Sequence, residues 1–558
     1  MLPDHPVSLR ETPLLRFAQE GSLVGPPRRL GRPNGFDYTS RMVSCIRIAL
    51  LVLLFTLGSP SPAADLRIAL AADLTSVDPH FANIAPNNNI GWHVFDALTH
   101  VDADARLIPG LAVSWRAVDG TTWEFRLRRG VKFHDGGDFT AEDVVFSIER
   151  AAKLPNGQFA GFVQRIVAKQ IVDPHTLRLK TATPYAMVPQ DLNSVFIVSR
   201  MAAAGAATED FNGGRAMVGT GPFRFVAFRR GERVDLARND AYWGGAPAWD
   251  KVSFRVMPTD PARLAALLAG DADLIEQVPP ADLARIRTRQ DLQVAQKVSW
   301  RTIFFHLDQY RDRPPGVTDR AGKPLERNPF KDTRVRLALS KAINRQAIVE
   351  RVMEGTAIPA ANLVSPLVFG HATALKPEAY DPEGAKKLLA EAGYPNGFGM
   401  VLHAPNNRYV NDDQIAQVVA QMVARVGIAA RVETQPINVY LGKARAGEFA
   451  FAMLGWGSFS GDLALRALVV TPSAARGTGA WNWSHYSNPK LDALIEQAFA
   501  TVDEKKREAL AQEAMTLAMK DTAVIPLHHQ LVSWAMKKPL AYAARTDEFT
   551  FAHHVRPR

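Results

Sequence analysis

Alternating apolar and polar positions predict a β-hairpin near the start of the second hundred residues. In the run 122–127, TWEFRL, every second residue is apolar, which is the period of a half-buried strand. An apolar run at 111–115 precedes it, and the pair Asp119-Gly120 lies between the two. Because glycine adopts positive φ at no steric cost, an Asp-Gly pair is a strong turn signal. The two runs therefore predict paired antiparallel strands.

Helical spacing and capping residues predict several helices. Thr140 is a good N-cap, and Asp143 three residues later completes an approximate capping box. The stretch 260–270 begins with Asp-Pro and ends at glycine, the usual asymmetry of a helix. Further helices are predicted at 92–98, 332–352, 381–393 and 411–426, and a loop at 87–89. Strands are predicted at 65–71, 224–227, 233–236, 400–402 and 449–454, and a strand pair around 172 and at 177–179, joined through Asp173-Pro174.

The N-terminal region carries the pattern of a secretory signal peptide. An apolar run at 48–57 follows Arg41 and Arg47 and precedes the small residues 61–64. The run is about half the ~20 residues that a membrane span needs. We expect a signal peptide at about 42–64, with Met42 as the initiator, and exclude residues 1–64 from the fold.

The single cysteine, Cys45, precedes the apolar run, so it does not have the position of a lipid-attachment cysteine. A mature chain without cysteine has neither disulfides nor a thiolate metal site. These features predict a periplasmic protein that is exported and not lipid-anchored.

Composition describes an ordinary soluble globular protein, with 47% hydrophobic and 22% charged residues over 558 positions. That length predicts two or three domains. The net charge is +10; residues 1–64 hold seven of the 66 Lys/Arg and four of the 56 Asp/Glu, which leaves +7. No stretch combines that charge with interleaved aromatic residues, so nucleic-acid binding is not expected.

Several motifs in order along the chain resemble one family. The segment 110–150 reads GLAVSWRAVDGTTWEFRLRRGVKFHDGGDFTAEDVVFSIER, and GTGPF at 219–223, NDAYW at 239–243, VRLALSKAINRQAI at 335–348 and DPEGAKKLLAEAGYPNGF at 381–398 follow it. This series resembles the extracytoplasmic solute-binding proteins of peptide-type ABC transporters (family 5, the dipeptide-, oligopeptide- and nickel-binding group). The resemblance covers about residues 66–550.

The resemblance implies an α/β fold of the periplasmic-binding-protein type, in which a hinge joins two lobes. It implies a discontinuous domain I (65–99, 219–300 and 521–558), an extra α+β domain II inserted at 100–218, and an opposing lobe, domain III, at 301–520. The GTG of 219–221 leads into a strand and not a helix, so it is not read as a phosphate loop.

No catalytic constellation is visible in the mature sequence. HExxH, CxxC, GxSxG and EF-hand patterns are all missing from it. The pairs His528-His529 and His553-His554 are adjacent, and neighbours on a strand point to opposite faces, so neither pair predicts a metal site. His134 is interpreted as a structural hydrogen-bonding residue. We therefore expect no enzyme, cofactor or metal, with a secreted hydrolase or a metal or metallophore carrier as the alternatives.

Aromatic residues suggest where a solute would bind, because ligand sites combine aromatic walls with a few fixed polar groups. Trp456 follows a predicted buried strand in a glycine-rich turn, and strand ends of α/β sheets are where ligands bind. Trp481 and Trp483 follow in GAWNWSHY. Core packing is the alternative role for all three.

The resemblance implies two charged anchors for a peptide. Relatives carry an aspartate for the peptide's ammonium in the turn that here contains Phe459 in place of the first aspartate and Asp462 in place of the second. Arg408 stands where relatives place an arginine for the carboxylate, and a guanidinium suits a carboxylate bidentately. Tyr409 and Asn88 complete the predicted site.

The sequence thus predicts the substrate-binding component of an ABC importer. It would capture a short peptide or peptide-like solute by hinge closure. Membrane permease subunits are the expected partners, and the protein is expected to be a monomer.

Overall fold

The structure is a computed structural model that describes residues 64–558. The signal peptide, Met42 and Cys45 lie outside the described residues. Among the described residues, no helix has both the length and the apolar composition to span a bilayer.

The strands of the described residues are short, apart from two long ones that become the centre of the fold. In chain order they are β1 (Asp65–Leu70), β2 (Asp96–Ala97), β3 (Thr99–Val101), β4 (Leu107–Pro109), β5 (Ala112–Ala117), β6 (Thr122–Leu127), β7 (Ile166–Asp173), β8 (Thr176–Thr181), β9 (Phe196–Ile197), β10 (Phe223–Arg229), β11 (Arg233–Arg238), β12 (Lys251–Val256), β13 (Leu274–Glu276), β14 (Leu292–Leu307), β15 (Ala357–Pro359), β16 (Gly399–Pro405), β17 (Ala429–Gln435), β18 (Phe451–Gly457), β19 (Ile525–Lys537), β20 (Leu540–Tyr542) and β21 (Val555–Pro557).

The helices vary from single turns to about five turns. They are α1 (Ala85–Val94), α2 (Ala141–Lys153), α3 (Ala160–Val163), α4 (Val188–Asp191), α5 (Arg200–Ala203), α6 (Thr208–Asn212), α7 (Asp260–Ala269), α8 (Pro280–Arg287), α9 (Thr333–Ala342), α10 (Arg345–Ala347), α11 (Pro382–Glu391), α12 (Asp412–Ala424), α13 (Ile437–Arg445), α14 (Gly461–Leu468), α15 (Pro489–Ala500) and α16 (Glu504–Lys520).

One large sheet of eleven strands organises the molecule. Its order is β10-β11-β12-β1-β13-β19-β14-β18-β16-β17, with β15 attached to β19. We call strands β10, β11, β12, β1 and β13 the first half-sheet, and strands β18, β16 and β17 the second half-sheet. The long strands β14 and β19 pair with each other from one half of the sheet to the other. The hydrogen-bond ladder between them is irregular between Val298 and Thr302. The two half-sheets are thus joined by two continuous strands whose pairing is interrupted midway.

The predicted hairpin and the helix after it are confirmed. Strands β5 and β6 pair antiparallel inside a four-stranded sheet of order β5-β6-β8-β7. Helix α2 begins after Thr140, whose Oγ1 accepts a hydrogen bond from the backbone N–H of Glu142 at 3.3 Å. The side chain of Asp143 accepts from the backbone N–H of Thr140 at 3.0 Å, which completes the capping box. Local sequence signals alone place these elements.

The GTG turn leads into strand β10, as predicted, and it makes a close backbone contact with α1. A Cβ on Gly219 would lie 1.9 Å from the carbonyl oxygen of Val94 at the end of α1, so only glycine fits there. His134 is buried, and its Nε2 lies 3.0 Å from the carbonyl oxygen of Gly221. Burial lowers the pKa of His134 to about 4, so the ring is neutral at pH 7. The structural role predicted for His134 is confirmed.

Two element predictions are wrong. The run 332–352 is not one helix, because Ile343 and Asn344 are extended and Asn344 caps a new turn that continues as a π-turn over Ile348–Val352. Residues 87–89 are not a loop but part of α1, which ends at Val94, so 92–98 is only partly helical. At Asn344 the side chain accepts from the backbone N–H of Ala347, so a local cap starts the new turn. Helix α1 begins with proline at its first turn and takes in the three asparagines.

Buried apolar residues form several clusters around the sheet. One cluster fills the first half-sheet and another covers one face of the second. The largest joins the four-stranded sheet and its helices to the opposite face of the second half-sheet, and includes Phe125, Leu192, Phe304, Leu454 and Leu468. The inserted segment therefore shares a core with the second half-sheet.

Candidate functional site

The carboxyl ends of the parallel strands place the candidate site at the middle of the large sheet. In the second half-sheet, β16 runs parallel to β17 and β18. In the first, β1 runs parallel to β12 and β13. The segment 546–550, which follows β20, contacts the carboxyl edges of both half-sheets. Ligands of α/β sheets bind outside such carboxyl ends.

Hydrogen bonds around Glu276 attach the segment 546–550 to the carboxyl edge of the first half-sheet. One carboxylate oxygen of Glu276 accepts from the backbone N–H of Ala71 at 2.9 Å, and the other accepts from the hydroxyl of Thr550 at 2.7 Å. The backbone N–H of Thr550 donates to Oδ1 of Asn89 at 2.9 Å. Burial raises the pKa of Glu276. These bonds fix segment 546–550 on the first half-sheet.

An ion pair joins this segment to the second half-sheet. The guanidinium of Arg301 on β14 lies 2.6 Å from Oε2 of Glu548, and both side chains are mostly buried. The hydroxyl of Ser299 donates to Oε1 of Glu548 at 2.6 Å. Ser299 and Arg301 lie where the β14–β19 ladder is interrupted, so Glu548 holds the linking strand at its irregular point.

Each charge of this pair shifts the pKa of the other. Burial alone would raise the pKa of Glu548, but the charge and hydrogen bonds of Arg301 outweigh burial and lower it. Burial would lower the pKa of Arg301, and Glu548 raises it above the usual value. Both groups are therefore charged at neutral pH.

Arg408 and Tyr409 follow β16 at the edge of the second half-sheet. The Tyr409 hydroxyl donates to the carbonyl oxygen of Gly455 at 3.1 Å, and the ring is buried. The guanidinium of Arg408 lies 5.6 Å from the centre of that ring, and that of Arg301 lies 5.9 Å from it. The charge of Arg301, followed by burial, lowers the pKa of Arg408. Two like charges therefore lie beside one aromatic ring.

The three predicted tryptophans lie together. Trp456, at the end of β18, is 5.1 Å from Trp481 between ring centres, and Trp481 is 5.8 Å from Trp483. All three are partly buried against the largest core. The guanidinium of Arg445 lies over Trp481 at 5.2 Å.

The tryptophans and the tyrosine lie on opposite faces of the second half-sheet. A Cβ on Gly455 would meet Tyr409, whereas its neighbour Trp456 points to the other face because side chains alternate along a strand. The two groups flank the same carboxyl edge, since β18 ends at Gly457.

The structure places Asp462 away from solvent. Asp462, near the start of α14, has no exposed surface. Its Oδ1 accepts from the hydroxyl of Ser460 and from the backbone N–H of Leu463, and its Oδ2 lies 3.3 Å from the guanidinium of Arg507. Burial raises its pKa. Asp462 is therefore paired with Arg507 inside the protein, and its role in solute binding stays a prediction.

Phe459 does line a cavity, together with Arg507. This cavity, of about 400 Å³, lies between residues 105–107 and the second half-sheet's helices. Asn88 on α1 donates instead to Asn83 at 2.7 Å, and the structure gives it no hydrogen bond to the other predicted site residues. Its neighbour Asn89 is the one that reaches segment 546–550.

The sequence reading missed Arg301, Glu548 and Trp300. A Cβ on Gly457 would lie 2.5 Å from the indole nitrogen of Trp300, so this ring packs directly on the end of β18. The available signal was the sequence SWRTIFF, in which Trp300 and Arg301 come directly before the apolar run Ile303-Phe304-Phe305. No comparable signal marks Glu548.

The adjacent histidine pairs have structural contacts. Nδ1 of His529 on β19 lies 2.8 Å from the hydroxyl of Thr302. The rings of His553 and His554 pack against each other at 4.4 Å between centres. Within residues 64–558, no group of three or more His, Cys, Asp or Glu has a metal-binding arrangement.

Comparisons with known proteins agree with this architecture. A sequence model described as bacterial extracellular solute-binding proteins, family 5 Middle, matches residues 106–465. The dipeptide-binding protein of Escherichia coli K12 is 29% identical over 462 residues, covering 77% of this chain and 82% of that protein. Heme-binding protein A of Haemophilus influenzae is 29% identical over 456 residues, covering 76% and 79%.

A solved structure has the same fold. The periplasmic binding protein DppA of Helicobacter pylori, in complex with the peptide STSA, superimposes with a TM-score of 0.72 at 25% identity, covering 89% of this chain and 98% of that one. The α/β fold class predicted from the sequence is thereby confirmed.

Proposed function

The chain belongs to the bacterial extracellular solute-binding proteins of family 5, and on that basis we propose that it binds a short peptide or peptide-like solute for an ABC importer. Proteins of this family are substrate-binding components of transporters. The peptide named with the Helicobacter structure and the dipeptide of the Escherichia relative favour a peptide as the solute.

The observation that carries the mechanism is the Arg301–Glu548 contact between the two carboxyl edges. Strands β14 and β19 run through both half-sheets, and their ladder is interrupted beside this contact. Two continuous strands with an irregular midpoint form a natural hinge. In this proposal the half-sheets are the two lobes, with domain boundaries as predicted from the sequence, and the solute lies across the edge that carries Arg408 and Trp456.

Closure of the lobes would then signal occupancy to the permease. A ligand that contacts both lobes binds the closed form more tightly than the open form, so it raises the closed population. The solute would leave chemically unchanged. We place the protein in the periplasm as a monomer that docks on the permease subunits.

Small-angle X-ray scattering tests the mechanism directly. Native mass spectrometry of the freshly purified protein first identifies any co-purified solute, which is then removed by partial unfolding and refolding. Adding back saturating solute should reduce the radius of gyration, while Trp456→Ala should bind it more weakly and compact only at higher concentration. Binding without compaction would refute hinge closure. Peptide cleavage by the pure protein would refute the transport function.

A further inference from the structure

A cavity of about 800 Å³ opens beside the first half-sheet, and we call it the first-half cavity. Its walls come from strands β2 to β4, the first residues of β14, the hairpin of β20 and β21, and residues around Trp92 and Tyr242. Among the described residues, none from strands β16 to β18 and none from segment 546–550 lines it. Small-molecule sites have volumes of about 300–1,000 Å³. The first-half cavity therefore has room for a ligand apart from the edge where the solute is proposed to bind.

Aromatic rings form much of the cavity wall. Phe551 lies nearly parallel to His553, at 5.2 Å between ring centres, and His554 lies 4.4 Å from His553. Trp92 lies 6.3 Å from Phe551 and 4.7 Å from His100. Two further rings line the cavity, those of Tyr242 and Tyr542. Such walls bind flat rings through offset stacking and edge-to-face contacts.

The two aspartates at this cavity already have partners. Oδ2 of Asp96, which is buried, accepts from the hydroxyl of Thr220 at 2.8 Å and from the indole N–H of Trp243 at 2.9 Å. Its Oδ1 lies 3.3 Å from Nε2 of His100. Oδ1 of Asp102 accepts from two backbone N–H groups, at 2.8 and 2.9 Å, and the residue is partly exposed to water. Neither aspartate is a buried charge that still needs a cation.

The cations at the cavity are either paired or in water. Nε of Arg545, which is buried, donates to both carboxylate oxygens of Asp547, at 3.0 and 3.1 Å. Arg556 and Arg558 are exposed. Burial is the main cause that lowers the pKa of His554 to about 4, so this ring is uncharged at pH 7. An ion entering the cavity would lose its hydration without finding an unpaired buried charge in return, which is costly.

We propose that the first-half cavity binds an uncharged, planar aromatic molecule, independently of the transported solute. The ring of the ligand would lie against Phe551 and the rings beside it. The polar contact would come from His554, whose side chain makes no hydrogen bond within the described residues. A neutral imidazole has one donor and one acceptor nitrogen, so it suits a hydroxyl group on the ligand. This inference does not rest on the proposed function, because the cavity shares no lining residue with the candidate solute site.

Four probes of one shape test the chemical class. They are 2-naphthol, 2-naphthoate, 2-naphthylmethylammonium and decahydro-2-naphthol, each titrated into the purified protein at pH 7 by isothermal titration calorimetry. One equivalent of 2-naphthol should bind. The two ions should bind at least about tenfold more weakly, because no buried charge compensates their desolvation. The saturated alcohol should bind about two- to tenfold more weakly, because it lacks the aromatic contacts.

Variants locate the binding site. Ala543→Trp places a large ring at the cavity wall and should weaken 2-naphthol binding by at least about tenfold, whereas Ala204→Trp, at an exposed alanine directly after α5, is the matched control and should leave it unchanged. His554→Phe keeps an aromatic ring and removes the hydrogen bond, so it should weaken binding about two- to tenfold. Trp456→Ala should have no effect.

A direct readout does not depend on any variant of the wall. Ile108 lines the cavity, so its ¹³C-labelled δ1 methyl group, assigned with Ile108→Val, should show intermolecular nuclear Overhauser effects to the ring protons of 2-naphthol. Absence of these effects in protein saturated with 2-naphthol would overturn the proposal.

The remaining outcomes separate this proposal from the transport function. If 2-naphthol does not bind, if either ion binds as tightly, or if Trp456→Ala abolishes binding while Ala543→Trp does not, the proposed site is wrong. The solute identified by native mass spectrometry should bind Ala543→Trp as it binds the parent protein. Loss of that solute together with 2-naphthol in Ala543→Trp would show that the two ligands are not independent, which also overturns the proposal. Failure of solute binding in the parent protein would count against the transport function alone.

Discussion

The ion pair between Arg150 and Asp78 should be among the most costly contacts to remove. Arg150 lies in the last turn of α2, and its two terminal nitrogens lie 2.8 and 2.7 Å from the two carboxylate oxygens of Asp78. The side chain of Asp78 is fully buried and that of Arg150 is 7% exposed. Removing one partner of such a pair leaves a buried charge and costs about 3–5 kcal/mol. We expect that cost for Arg150→Met at pH 7.

An exposed ion pair between α2 and α5 provides the control. Arg200 contacts Glu142 at 2.7 Å, but their side chains are 47% and 59% exposed. Exposed pairs contribute about 0–1 kcal/mol, so Arg200→Met should change the free energy of unfolding by less than about 1 kcal/mol. Urea titrations followed by circular dichroism at 222 nm measure both variants against the parent protein.

The pH dependence gives a second, independent check. Burial would raise the pKa of Asp78, but the hydrogen bonds and charge of Arg150 lower it overall. The stabilisation is therefore present above the ordinary carboxyl pKa and is lost as pH falls through the lowered value. Without Arg150 the carboxyl pKa rises, so the difference between variant and parent should shrink as pH falls from 7 toward 4. Equal costs for the two arginine variants, or a cost that does not vary with pH, would refute the reasoning.

Three further predictions concern the frame around the site. Gly219→Ala should destabilise by about 2 kcal/mol or more, because its Cβ would overlap the carbonyl oxygen of Val94, whereas Gly161→Ala, with nothing within 4 Å, should be nearly neutral in the same urea titration. His134→Gln should flatten the rise of stability between pH 4 and 6.5, since the buried ring with its pKa of about 4 binds protons less readily than the unfolded chain does; an unchanged slope would contradict this. Thr140→Ala should cost about 1 kcal/mol in thermal unfolding by removing the cap of α2, and Thr140→Ser should restore it; equal losses in both would rule out capping as the cause.

The sequence determined the elements whose signals are local. The hairpin of β5 and β6, the capping box of α2 and the glycine-terminated α7 all follow from residues within a few positions of one another. Their physics is short-range: side-chain period, backbone donors at a helix start, and the tolerance of glycine for positive φ. The wrong prediction of one helix over 332–352 also has a local cause. The helix ends at Ile343 because the next residue, Asn344, caps a new turn.

The family followed from the order of several such motifs, and with it the fold class. The candidate residues were only partly predictable. Trp456, Trp481 and Trp483 do meet, but their shared face and the placement of Tyr409 on the other face depend on strand order and pairing. Asp462 matches a family position, and only the structure shows that it is buried against Arg507.

Only the tertiary structure decided how the site is charged. Arg301 and Glu548 are 247 positions apart, and no local pattern relates them. They meet because β14 links the half-sheets while a segment after β19 returns along their carboxyl edges. Whether a charged side chain is free for a ligand or already paired depends on such distant neighbours, since a carboxylate accepts from whatever donors the fold brings to it. The sequence therefore determines which charged residues the protein has, and the fold determines which of them are available to a ligand.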